Sequence, residues 1–181
     1  MKKRKIIIKF LLKFFITYFL LLGVYSIFLR QTQQKGDVFS CDPMTKTVAY
    51  QTDELAKFLG YNTYTGQHES ELSMKFFVGD VHASNIIEGC NSISILILFL
   101  TFIIAFSGSL KATIIFGIVG SLIIYVVNLF RILVLSMLMY KYPEYQYFLH
   151  NLLFPGIIYG TTFILWIIWV NKFSNLKSQK K

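Results

Sequence analysis

KATIIFGIVGSLIIYVVNLFRILVLSMLMYK, residues 111–141, is an apolar run with a lysine at each end and a single charge, Arg131, inside it. At about 1.5 Å of rise per residue, roughly 20 helical residues cross the ~30 Å hydrocarbon core of a bilayer, so this run is long enough to span one. The rest of the chain points the same way. With 181 residues, 55% of them hydrophobic and 17% aromatic, it carries more apolar surface than one small soluble core can bury, and lipid has to cover the remainder.

Three further apolar runs flank this one, at residues 6–29, 93–106 and 151–170. The first and last are long enough to cross unaided. The run at 93–106 reaches across only with its flanks, as 90–110, and its ends then lie at or below the membrane surface. A formal charge of +9 suits a phosphate binder, but the cations sit at the ends of apolar runs. That placement argues for the bilayer as partner and against nucleic acid.

Lys2, Lys3, Arg4, Lys5, Lys9 and Lys13 precede or enter the first run, which by the positive-inside rule puts the N-terminus in the cytoplasm. Lys9 and Lys13 are expected to snorkel to the inner interface. Alternation then places the 108–111 turn and the tail with Lys172, Lys177, Lys180 and Lys181 inside, and 30–89 and 141–149 outside. All nine acidic residues, Asp37, Asp42, Asp53, Glu54, Glu69, Glu71, Asp80, Glu88 and Glu144, fall on the outer side. The N-terminal run has the basic start of a signal peptide. No small-x-small site follows Leu29 and the run is long for a signal, so it reads as an uncleaved anchor.

The expected fold is an all-α polytopic membrane protein: four transmembrane helices, with a small extracytoplasmic α/β segment between helices 1 and 2. Its expected divisions are 1–29, a basic tail and the first helix; 30–89, the extracytoplasmic segment; 90–170, a three-helix membrane core; and 171–181, a basic cytoplasmic tail. Localisation follows as multi-pass in the cytoplasmic (inner) membrane with both termini cytoplasmic. Within the outer segment, Asp42-Pro43 predicts an N-cap with proline at the first helical position, and Gly60 predicts the helix stop. Val48, Leu55, Phe58 and Leu59 are its expected apolar face. Residues 72–78 and 81–87 flank Gly79-Asp80, a two-residue hairpin turn.

The topology brings three chemically capable side chains to one side of the membrane. Cys90 is expected to start the second membrane helix at its outer end. Arg131 lies in the outer half of the third, about 8 to 13 Å below the interface at helical rise, and His150 opens the fourth. An arginine inside a span costs at least about 2.5 kcal/mol on insertion scales, which makes it a functional candidate by default. Its structural alternative is pairing with Glu88 or with backbone carbonyls. Ser121, Tyr125 and Asn128 precede Arg131 on a polar stripe facing protein or water. A helix N-terminus favours a thiolate; Glu88 opposes it and a nearby Arg131 restores it. His150 is placed to take a thiol proton and return one to a leaving amine. His68 and His82 lack metal-ligand spacing and read as structural. Gly156 and Gly160 form a small-xxx-small pair that predicts close helix packing.

Glu88-Gly89-Cys90-Asn91-Ser92 before an apolar helix, Asn128-Leu129-Phe130-Arg131 inside the next, and His150 opening the last resemble the exosortase and archaeosortase family of membrane transpeptidases, most closely the compact exosortase F type of Bacteroidetes-like bacteria. The resemblance covers about residues 36–170, with its motifs in 87–160. It implies Cys90 as nucleophile, Arg131 as stabiliser of thiolate or oxyanion and His150 as general acid or base, with Asn128 and Glu88 in support. It implies no metal and no organic cofactor. The substrates implied are exported proteins carrying a C-terminal motif, an apolar helix and a basic tail, processed at the periplasmic face, and a dedicated membrane partner subunit is compatible with it. Two departures stand out. Many relatives have Cys-Ser-Gly where this chain has Cys90-Asn91-Ser92, which leaves the roles of Asn91 and Ser92 open, and many have additional membrane helices, so this chain reads as a minimal core.

A second reading takes the chain as a non-catalytic membrane assembly subunit. In it, Cys41 and Cys90, both on the outer and oxidising side, form a structural disulfide, and Arg131 pairs with a partner helix. A thiol oxidoreductase would need a CxxC pair, which the sequence lacks.

Overall fold

The structure, a computed structural model, describes residues 2–36, 38–106 and 108–174. In chain order, α1 (Lys2–Thr32) is followed by α2 (Pro43–Phe58) and then by three strands, β1 (Thr63–Gln67), β2 (Ser73–Val78) and β3 (Val81–Ile87). A 3-10 turn, Glu88–Cys90, leads to α3 (Ile93–Ala105) and α4 (Leu110–Lys141). After a 3-10 turn at Pro143–Tyr145 and the single turn α5 (Gln146–Phe148), a π-helical turn at Leu149–Leu153 runs into α6 (Phe154–Ile168), which ends in another π turn, Trp169–Phe173.

Among the described residues, three helical stretches are long and apolar enough to cross a membrane: Ile7–Thr32, Leu110–Lys141 and Asn151–Phe173. On α1, Leu12, Ile16, Phe19, Leu20 and Val24 are all exposed, a large apolar surface of the kind a membrane-spanning helix presents. The expected span at 90–110 is shorter than the sequence suggests: α3 is 13 residues, about 20 Å at helical rise. Ser92 takes a left-handed φ of +64° just before Ile93, and that turn bars the helix from starting at Cys90. The chain is mostly helical, an integral membrane protein with a small three-stranded sheet.

The chain divides into two compact units, to which α1, α4 and α6 each contribute. One unit holds 1–27, 93–124 and 159–181, and aromatic rings pack it. Phe10 lies 4.3 Å from Phe106, Phe102 stacks on Trp166 at 4.4 Å, and Phe116 lies 5.2 Å from Trp169, centroid to centroid. Trp169 is fully buried and its indole donates to the Phe106 carbonyl at 3.1 Å, which satisfies the one polar atom of that ring. Against Phe99 of α3, α4 places Gly120, where any Cβ would strike the ring.

The other unit holds 28–92 and 125–158. As the sequence predicts, Asp42 caps α2 by accepting from Thr45 N at 2.9 Å, with Pro43 in the first turn, and Gly60 follows the helix with a left-handed φ of +88°. Of the expected apolar face of α2, Val48 is buried and Leu55 packs partly buried against the core, but Phe58 and Leu59 are not part of the buried stripe. That stripe is Thr45, Val48, Ala49, Thr52, Asp53 and Ala56, while Phe58 is 87% exposed and Leu59 is also exposed. These positions follow the i, i+3, i+4 spacing of a single stripe, and the polar ones are acceptable there because each is paired. Thr52 donates to the Val48 carbonyl at 2.8 Å, and Thr63 of β1 donates to Asp53 Oδ1 at 2.6 Å.

The strands form an antiparallel meander, β1-β2-β3. The predicted hairpin joins β2 and β3 through Gly79, whose φ of +57° the tight turn requires. Strand β1 was not expected, because Thr63–Gln67 lacks apolar alternation and includes Gly66; pairing with β2 recruits it. Met74, Phe76 and Ile86 of the sheet, Val48, Ala49 and Ala56 of α2, and Ile132 and Leu133 of α4 share one core with Cys41 and Cys90. Burying Phe76 alone is worth about 2 to 3 kcal/mol. Sheet and α4 are also joined by a buried hydroxyl pair, Ser84 to Ser136 at 2.6 Å.

Candidate functional site

The second unit contains Cys90, Arg131, Asn128, Glu88 and the backbone of His150. Cys90 closes the 3-10 turn that follows β3, instead of opening a helix as expected, and is buried at 6% exposure. The turn is strained. Ser92 at φ +64° is the one non-glycine residue with positive φ among the described residues, a conformation that costs of order 1 kcal/mol or more for an L side chain. The chain has to turn left-handed two residues past the cysteine, a conformation that glycine would adopt without penalty.

From α4, the fully buried Asn128 reaches this turn and donates through Nδ2 to the Cys90 carbonyl at 2.7 Å. One helical turn further on, Arg131 Nη1 donates to Asn128 Oδ1 at 3.1 Å. A single amide thus uses its donor on the cysteine turn and its acceptor on the guanidinium, which also fixes which way the amide faces. Arg131 Nε is buried and has no hydrogen-bond partner among the described residues. Nor does an ion pair join Arg131 to Glu88 among the described residues. Glu88 instead contributes its carbonyl, which accepts from Asn91 N at 3.2 Å inside the turn.

On the other side of the turn stands Asn91, 1% exposed, whose Nδ2 donates to Thr45 Oγ1 at 3.2 Å. The sequence reading marks Asp42 as a helix cap, leaves the role of Asn91 open and misses Thr45. The available signal was the Asp-x-x-Thr pattern itself, a buried cap whose second polar group has capacity to spare.

Cys41 and Cys90 are both free thiols, so the Cys41-Cys90 disulfide of the assembly-subunit reading is not formed in this structure. Both lie in the same core, and Cys41 Sγ donates to Gln67 Oε1 at 3.3 Å. Burial pushes the Cys41 thiol up from its ordinary range. Lys46 opposes that shift and Asp42 adds to it. His68 and His82 make local bonds, His68 Nδ1 accepting from Ser70 N at 3.2 Å and His82 Nε2 meeting Asn85 Oδ1 at 2.8 Å. The close packing expected at Gly156 and Gly160 is not found among the described residues: a Cβ at either would have no neighbour within 4 Å.

His150 sits in the π-helical turn before α6, and its side chain lies outside the described residues, as do Lys177, Lys180 and Lys181. The residue before it, Leu149, packs with Leu135 of α4, one helical turn beyond Arg131.

The family model described as transmembrane exosortase matches residues 4–169, nearly the whole chain. Comparison with curated proteins and with solved structures gives no match. Proteins of this family are in general cysteine peptidases or transpeptidases of the membrane. A match of that extent establishes that this chain belongs to the transmembrane exosortase family.

Proposed function

We propose that this protein is a membrane-embedded cysteine transpeptidase that cleaves the C-terminal sorting signal of exported proteins and transfers the released acyl group, at the outer face of the cytoplasmic membrane. Cys90 is the nucleophile, Arg131 the electrostatic stabiliser and His150 the general acid and base. The observation that supports this most is the bridge through Asn128, which ties the Arg131 guanidinium to the backbone of Cys90 and leaves Arg131 Nε without a partner among the described residues. A buried cationic donor with unused capacity is what a developing oxyanion requires.

In this reading His150 takes the thiol proton and the sulfur attacks the scissile carbonyl carbon. Negative charge collects on the carbonyl oxygen, which Arg131 stabilises, and the C–N bond breaks as the imidazolium gives its proton to the leaving amine. The thioester is then resolved by an acceptor amine, and sulfur departs to recover its proton; water in that role gives hydrolysis. Four spans with cytoplasmic termini suit this chemistry. They place all nine acidic residues outside, and the short α3 lets the Cys90 turn lie below the outer interface, where a substrate's apolar helix approaches laterally. The compact exosortase F type is the subfamily this arrangement resembles, and a dedicated membrane partner fits the same scheme.

An acyl-enzyme is the test. Membranes holding the full chain, quenched in acid during active export, should yield a Cys90 peptide with an added acyl mass that neutral hydroxylamine removes. If hydroxylamine-labile mass appears on neither Cys90 nor any Cys90 peptide under conditions where processing proceeds, the nucleophile is misassigned.

A further inference from the structure

Between the nucleophile and the strained Ser92 lies Asn91, and its anchor comes from 46 residues earlier in the chain. Asn91 Nδ2 donates to Thr45 Oγ1 at 3.2 Å, and that hydroxyl donates its own proton to Asp42 Oδ2 at 2.7 Å. The same carboxylate accepts from Thr45 N at 2.9 Å through its other oxygen. All three residues are 0 to 1% exposed. A hydroxyl has one proton and two lone pairs, so giving the proton to the carboxylate leaves it a pure acceptor toward the amide, and each bond strengthens the other.

We propose that Thr45 is a positioning residue for the nucleophile: it clamps the Cys90 turn to the capped start of α2 by holding Asn91 against Asp42. The inference rests on the reading of Cys90 as nucleophile. A left-handed non-glycine residue persists only where its surroundings over-determine it. Here the turn is held from α4 by Asn128 on the Cys90 carbonyl and from α2 by Thr45 on the next side chain. Thr52, also buried on α2, spends its hydroxyl on the Val48 carbonyl of its own helix and so does not share this role.

The experiment uses the full chain in native membranes and compares wild type with Thr45→Val, Thr45→Ser and Thr47→Val. Thr47 is exposed in the same first turn and serves as control. Two quantities are read: the rates at which N-ethylmaleimide modifies Cys90 and Cys41, by peptide mass spectrometry, and the processing of exported proteins. Thr45→Val should raise the Cys90 rate about tenfold while Cys41 stays protected, and lower processing about tenfold, the factor set by one buried hydrogen bond left unmade. Thr45→Ser restores the hydroxyl and should return both to within about threefold of wild type. Unchanged Cys90 labelling in Thr45→Val overturns the proposal, as does failure of Thr45→Ser to rescue. If Cys41 and Cys90 accelerate together, the hydroxyl holds α2 as a whole and the proposal is equally overturned. Cys90→Ala run in parallel separates the two ideas, since processing that survives it refutes the nucleophile while the labelling rates still report on the clamp.

Discussion

Replacing Asn128 with leucine keeps the branched heavy-atom skeleton, with some added bulk, and deletes both bonds of the bridge. One is a neutral bond to the Cys90 carbonyl at 2.7 Å and the other a bond from a guanidinium at 3.1 Å. Neutral bonds contribute about 1 kcal/mol and bonds to charged groups about 1.5 to 3, and a buried partner left unsatisfied adds its desolvation. Since Asn128 is fully buried, little water is available to compensate, and Asn128→Leu should lose about 3 kcal/mol of stability. Unfolding of the full chain by SDS titration in mixed micelles, followed through the fluorescence of Trp166 and Trp169, measures this. A double-mutant cycle with Arg131→Met should give a coupling of about 1 kcal/mol or more, because both substitutions remove the same bond. Asn128→Asp keeps an acceptor for Arg131 and loses the donor to Cys90, so processing should fall even where stability is partly preserved. A loss under about 0.5 kcal/mol for Asn128→Leu, typical of an uninvolved surface site, would refute the bridge.

At Ser92 the left-handed backbone should separate glycine from β-branched residues, with Ser92→Gly tolerated and Ser92→Val less stable than Ser92→Gly by about 2 kcal/mol in the same titration. Cys41 carries a raised thiol pKa, mainly through burial, so the fold binds its proton more tightly than the unfolded chain does. Its contribution to stability is therefore present below the ordinary thiol range and lost as pH rises through the raised value, and the decline measured between pH 7 and about 10 should flatten in Cys41→Ala. Gly120→Ala forces a methyl into the Phe99 ring and should cost about 1 to 3 kcal/mol, read as reduced stability in detergent.

How far the sequence carried the account varied by element. Charge placement and run length were enough for α1, α4 and α6, because each signal sums over twenty or more residues. Caps and the hairpin turn were legible where a residue type answers one backbone demand: Asp42, Pro43, Gly60 and Gly79. The buried face of α2 was not, since Thr45, Thr52 and Asp53 are buried only by virtue of partners that hydropathy does not reveal. The start of α3 was misjudged for a related reason: nothing in the composition of Cys90-Asn91-Ser92 announces a left-handed residue. Helical spacing from Arg131 put Asn128 on the polar stripe of α4, while its bond to the Cys90 carbonyl depends on the fold bringing α4 to a turn 38 residues away. Gly156 and Gly160 show the opposite error, a packing motif with no described partner.

The central claim, that Cys90 acts on the C-termini of exported proteins, is tested most directly by expressing Cys90→Ala beside Cys41→Ala in the native host and sequencing the C-termini of exported membrane-anchored proteins by mass spectrometry. The account predicts that Cys90→Ala alone leaves a set of precursors with apolar helix and basic tail intact, while Cys41→Ala processes them normally. Identical C-termini in both variants and wild type, or equal accumulation in both variants, would contradict it.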